Sequence, residues 1–137
     1  MRIEGWESRL HAVIEAARDV PYQLGVHDCF RLACAAVNAL TGVDRWPAFA
    51  GQYSTRNEAV RHIARVGSSF EAAASVCFAS PALDNMRLAR RGDLCAYRDE
   101  AGEKHLGVCM GAQVAVLGVA GLAWVPRRSC HACWRIG

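Results

Sequence analysis

Among the seven cysteines of the chain, Cys29 is set apart by its neighbours. It follows His27 and Asp28 and opens the run Cys29 to Leu40, in which Leu32, Ala33, Ala36, Val37 and Leu40 recur at helical spacing. Asp28 has the side chain of a good N-cap, because its carboxylate can accept a backbone N–H two or three residues on. Cys29 then falls on the first helical position. A thiol there feels the positive end of the helix dipole, which favours the nucleophilic thiolate and draws the pKa below the free value of about 8.5. The same spacing would also suit an inert cysteine packed as a small hydrophobe.

A sulfur nucleophile needs a base that is close in space and usually distant in sequence. Of the five histidines, His11 and His62 occupy polar positions of amphipathic segments, and His27 is so close to Cys29 that its side chain diverges at a helix entry. His105 opens the apolar stretch Leu106 to Met110 directly after a polar turn, at the edge of an expected sheet. Residues 105, 107 and 109 share one strand face, and Gly107 would leave room there for the end of a helix to approach His105. Cys130-His131-Ala132-Cys133 is a second cluster of reactive types. A single C-x-x-C is half of a zinc site, and no second pair with matching spacing accompanies it, although Cys77, Cys95 and Cys109 could converge on it in the fold.

The elements that must position these residues follow from periodicity. Trp6, Leu10, Val13, Ile14 and Ala17 form one apolar stripe and predict a first helix over 6–17. Pro21 and Gly25 break the chain before the helix that starts at Cys29 and stops near Thr41-Gly42. Residues 42–54 lack a period and read as a loop. Thr55-Arg56-Asn57-Glu58 and Ser68-Ser69-Phe70-Glu71 carry the capping-box pattern, predicting helices through about Val66 and about Ser75. After Arg91-Gly92-Asp93 the period shortens. Leu94 to Arg98, Lys104 to Met110, Gln113 to Gly118, Leu122 to Pro126 and Trp134 to Ile136 are short runs between glycine-bearing turns, the pattern of an antiparallel meander. Helices first and strands after predict one α+β domain over 1-137, with the sheet packed on the buried second helix.

Composition narrows the function classes. The chain is 53% hydrophobic and 21% charged, which suits a folded domain, and its net charge of +3 comes with no basic stripe interleaved with aromatics. Nucleic acid is therefore not an expected partner. No run approaches the roughly 18 consecutive apolar residues of a membrane helix, so no membrane insertion is expected. The N-terminal stretch reads as no signal peptide, and the scattered, odd number of cysteines fits reduced thiols and synthesis in a cytoplasm.

The combination of Pro21-Tyr22-x-x-Gly25, Asp28-Cys29 with an apolar helix, Arg91-Gly92-Asp93-Leu94 before a strand, and His105-Leu106-Gly107-Val108-Cys109-Met110-Gly111 resembles the NlpC class of bacterial cell-wall cysteine peptidases, which have a papain-like α+β fold. The resemblance implies Cys29 as nucleophile, His105 as base and Tyr22 as a contributor to the oxyanion site, with no cofactor. Its substrate would be an amide bond of peptidoglycan stem peptides. The short length, His27-Asp28-Cys29 and the ending Trp134-Arg135-Ile136 resemble, more narrowly, the small tail proteins of siphophages. That implies partners among the tail-tip hub and distal tail proteins, a virion tail-tip location and action at the cell wall of a bacterial host. The chain departs from the family at Phe30 and Arg31, where Ser-Gly is usual, and at Leu117, where the strand after the histidine normally carries a polar residue to orient it. Gln113, on the same face of that strand, or a backbone carbonyl would have to substitute; otherwise the site is a dyad or degenerate. A structural tail-tip component without turnover and a metal-binding module built on Cys130 and Cys133 are the alternative functions.

Overall fold

A computed structural model describes residues 1–137. Helix α1 (Trp6–Ala17) buries Leu10, Ile14 and Ala17 against helix α2 (Cys29–Thr41). Arg9 on α1 donates to the Ala39 and Asn38 carbonyls, so a side chain of one helix bonds the last-turn acceptors of the other. Gly42 closes α2 in the left-handed conformation at φ 76°, where a side chain would be strained. Nine of the thirteen residues of α2 are buried, which makes this helix the axis of the core. Full burial of side chains such as Leu32, Val37 and Leu40 contributes about 1.5–3 kcal/mol each.

The loop after α2 holds a single 3₁₀ turn at Trp46–Ala48 and turns Phe49 and Tyr53 inward. Helix α3 (Arg56–Val66) begins at Thr55 and helix α4 (Phe70–Cys77) at Ser69; each capping hydroxyl accepts a backbone N–H of its first turn. The first capping box thus starts α3, whereas α4 starts one residue later than its pattern places it, at Ser69 instead of Ser68 with Glu71 turned to Lys104 and His131, and runs two residues beyond the expected end. No residue of α3 is fully buried. Its apolar side packs on the core through Ala59 and Ile63 and, with Val60 and Ala64, also lines a cleft.

The sheet comprises β1 (Leu94–Arg98), β2 (Lys104–Cys109), β3 (Gln113–Gly118), β4 (Gly121–Pro126) and β5 (Ala132–Trp134), in the order β4-β3-β2-β1-β5 and antiparallel throughout. The meander holds for the first four strands only. The last strand begins two residues earlier than its pattern suggests and returns to pair with β1, not with β4. Two links hold it there. Trp134 is wholly buried, and Arg135 and the Ile136 N–H both bond the buried carboxylate of Asp93, which also ion-pairs with Arg2.

One sheet face presents Leu94, Ala96, Leu106, Val108, Ala115 and Trp134 to the helices. The other presents Cys95, Cys109, Val114, Val116 and Cys133. Gly107 belongs to this second face, where an added Cβ would meet Val114 and Val116, so it does not open space for the helix as its spacing suggested. The room for the helix comes from elsewhere. Strands β2 and β3 pair only at Val108–Ala115 and Cys109–Val114, and the ladder does not extend to Leu106 and His105.

Candidate functional site

The N-terminus of α2 approaches this open part of the sheet. Asp28 caps the helix as its type predicts, one carboxylate oxygen accepting the Arg31 N–H at 2.9 Å. The other oxygen accepts the Gly25 N–H at 2.9 Å and the Tyr53 hydroxyl at 2.5 Å. A buried carboxylate with three donors fixes both the turn and the first residue of the helix. Tyr53 escaped the sequence reading because it lies in a stretch without periodicity.

Cys29 occupies the first helical position, as expected, but its electrostatics differ from the expectation. Burial pushes the thiol up to about 12, against the N–H groups of Leu106, Cys29 and Phe30, which favour the thiolate. The dipole and these donors do not offset the lost hydration. At rest the group is a neutral thiol.

His105, at the start of β2, lines the same two clefts as Cys29 and Tyr22. Its ring packs on Tyr97, its cross-strand partner on β1, at a centroid distance of 5.4 Å. Its Nε2 lies 2.9 Å from Oδ2 of Asp99. Asp99 is itself held by the β1–β2 turn, since its Oδ1 accepts the Glu103 N–H at 2.9 Å. The residue that orients the imidazole therefore comes from the hairpin before the histidine and not from the strand after it. Gln113 is exposed at the far end of β3, paired with Pro126, and cannot take that part. Leu117 lines the smaller cleft beside Cys29 and His105 as an apolar wall.

Tyr22 is partly exposed at the mouth of both clefts. Desolvation, with Cys29 and Asp28 nearby, pushes its hydroxyl up to about 12, so it remains a proton donor at neutral pH. The larger cleft has a volume of about 720 Å³ and runs from Cys29 between α3 and the β1–β2 hairpin, with Leu24, Phe30, Ile63 and Phe70 on its apolar side. On the polar side Arg56 pairs with Glu103, and Lys104 pairs with Glu71. Asp99, Glu103 and His105 bring one donor atom each within 4.8 Å of one another, a spacing a cation could bridge. Two of those donors already serve the hairpin, Asp99 on His105 and Glu103 on Arg56.

The other histidines lie apart from these clefts: His62 bonds the Ala48 carbonyl at 3.0 Å, and His27 buries an unpartnered Nε2. Trp46 stacks on Phe49 under the Arg31 guanidinium and borders neither cleft. Cys130 and Cys133 are buried on the opposite face of the sheet.

Fold and site together define an α+β domain in which a cysteine at a helix N-terminus and an Asp-held histidine on a strand share one cleft. The chain belongs to the family described as Domain of unknown function (DUF6950), which it matches over residues 1–136. No curated protein matches it.

Proposed function

We propose that the protein is a cysteine hydrolase of the NlpC-like, papain-like kind, cleaving an amide bond in peptidoglycan stem peptides as part of a phage or prophage tail tip. The observation that carries the reading is the His105–Asp99 hydrogen bond in a cleft shared with Cys29. Asp99 accepts only, so Nε2 carries the proton and Nδ1 is left as the basic nitrogen. Cys29 Sγ attacks the carbonyl carbon while His105 takes the thiol proton, and the carbonyl electrons move to the oxygen. The Cys29 N–H, unused within the helix, and the Tyr22 hydroxyl stabilise that oxyanion. Collapse expels the amine with the proton from His105 and leaves a thioester. Water then attacks the thioester with His105 again as base, and the acid and free thiol are released. Because the thiol is neutral at rest, His105 acts as a general base during attack and not as half of a standing ion pair.

The test is peptide release from purified sacculi by wild type, Cys29→Ala and His105→Ala, with mass spectrometry of the trapped thioester. Release by wild type alone supports the reading, and equal background release from all three overturns it.

One observation favours a second reading, a tail-tip scaffold that keeps the fold without turnover: Cys29 is only 8% exposed and burial disfavours its thiolate. In that case both variants assemble into particles as wild type does, and none of the three cuts sacculi. Binding to the tail-tip hub and distal tail proteins is part of both readings.

A further inference from the structure

Arginines from distant parts of the chain converge on the segment between α4 and β1. Arg2 donates to the Arg91 carbonyl at 2.7 Å, Arg127 to the Ala89 carbonyl at 3.0 Å and Arg135 to the Leu88 carbonyl at 2.6 Å. The segment itself exposes Arg87, Arg90 and Arg91, and Arg128 is exposed beside Arg127. In the sequence 87–91 and 127–128 are two separate basic runs; the fold makes them one surface. Asp93, wholly buried, is the one carboxylate that pairs with any of these arginines, and Arg2 and Arg135 share it. Asp84, exposed in the same segment, pairs with none of them. Holding the backbone accounts for Arg2, Arg127 and Arg135. It does not account for Arg87, Arg90, Arg91 and Arg128, whose side chains make no hydrogen bond or ion pair within the chain.

We propose that this surface binds an acidic protein segment that also presents apolar side chains, at a place separate from the Cys29 cleft. Leu83, Met86 and Ala89 seat the segment on the sheet face away from the helices, and none of these arginines lines either cleft. Cations gathered around one shared carboxylate raise a positive potential that a partner's carboxylates would relieve. A guanidinium meets a carboxylate through two parallel bonds, and arginine is enriched where proteins bind one another. Leu88 stands among the arginines and is 49% exposed, so the surface has an apolar centre within a charged rim, the arrangement of a protein interface. Nucleic acid fits less well, because no aromatic ring is open there for a base to stack on. The indole of Trp6 has Arg2 over it at 4.4 Å, and the exposed Trp124 pairs with Ala115 and so lies on the helix-facing side of the sheet. Such binding does not depend on turnover at Cys29.

The probe is a fluorescent alanine-based helical peptide with glutamates flanking leucines on one face, titrated with the full chain at about 0.15 M salt. We expect saturable binding that weakens at least about 10-fold when Arg87→Glu and Arg128→Glu are combined, one reversal in each converging run, and about 3-fold in Leu88→Ser. The same number of reversals on α3, Arg61→Glu with Arg65→Glu, should leave the affinity within about 2-fold, which separates this surface from the change in net charge. If Arg128→Glu fails to fold, Arg87→Glu with Arg90→Glu is read in its place. Cys29→Ala should bind the peptide as wild type does, so the result stands whether or not sacculi are cut. No binding by wild type, or binding untouched by the reversals on this surface, overturns the proposal. A duplex oligonucleotide that binds wild type more tightly than the peptide at that salt, and is lost in the same variants, overturns it too and assigns the surface to nucleic acid.

Discussion

His105 Nε2 and Asp99 Oδ2 lie 2.9 Å apart across a hairpin in which Tyr97 is the cross-strand partner of His105. The contact fixes the tautomer of the imidazole and turns Nδ1 into the available base. Asp99→Asn keeps the shape but can reverse the hydrogen bond and select the other tautomer. Asp99 is partly exposed, so solvent shares its role and the loss should be smaller than for a buried aspartate. The expected fall in kcat is about 10- to 100-fold, against a loss of several orders of magnitude for His105→Ala. A kcat for Asp99→Asn within twofold of wild type would remove Asp99 from the site.

The protonation of Cys29 gives a second prediction. Burial places its folded pKa at about 12, above the unfolded value of about 8.5. Between those values the unfolded chain has lost a proton that the folded chain keeps, so stability is intact below pH 8.5 and falls as the pH rises towards 12. The Cys34 thiol, also pushed up to about 12 by burial, acts in the same direction. Urea denaturation at pH 7.5 and pH 10 should show a loss of roughly 2 kcal/mol per such thiol, reduced by one thiol's share in Cys29→Ala. Iodoacetamide should modify native Cys29 more slowly at pH 7.5 than a free cysteine, with the rate climbing through pH 10. Rapid labelling that is flat from pH 7 to pH 9 would mean a standing thiolate.

The start of α2 was legible because its signal is local: an aspartate before an apolar helical stripe has few other uses, and Cys29 follows from it. The strand limits were legible where glycine turns bound them. The return of β5 to β1 was not, since it depends on Trp134 and Arg135 finding partners about forty residues away in sequence, among them Asp93. Asp99 was overlooked for a different reason, its place in a four-residue turn, where aspartate is expected for its own backbone bonds. A signal was present all the same: 97, 99 and 105 share a face once the hairpin register is set. The acidity of Cys29 could not be read at all from a helix position, because burial is a property of the whole fold and outweighs the dipole.

Tyr53 and Asp28 carry the third prediction. Removing the hydroxyl in Tyr53→Phe leaves a buried carboxylate with its two backbone donors only, Gly25 and Arg31. A bond to a charged group is worth about 1.5–3 kcal/mol, so the unfolding free energy should fall by about that amount and the urea midpoint should fall with it. The Pro21–Asp28 turn also carries Tyr22, and its loosening should raise KM as well as lower kcat. An unchanged midpoint would show that the Tyr53 bond is not made in solution.

Gly107 supplies the last prediction, on grounds different from those its spacing first offered. A Cβ at this position would stand 2.6 Å from Val114 Cγ1, 2.8 Å from the Ala115 carbonyl oxygen and 2.9 Å from Val116 Cγ1, all on β3. The valines can rotate away, but the carbonyl moves only with its strand. The β2–β3 ladder has just two residue pairs with which to resist. Gly107→Ala should therefore push β3 outward and cost about 1–3 kcal/mol, with Gly107→Val costing more. Leu117 on β3 walls the cleft at Cys29, so the same displacement widens the approach to the sulfur. Alkylation of Cys29 should then be faster in Gly107→Ala than in wild type at the same pH, even though the thiol itself is untouched. Urea denaturation and a labelling time course on the two proteins make the comparison. Wild-type stability together with wild-type labelling would show that β2 and β3 are not in close contact at this residue.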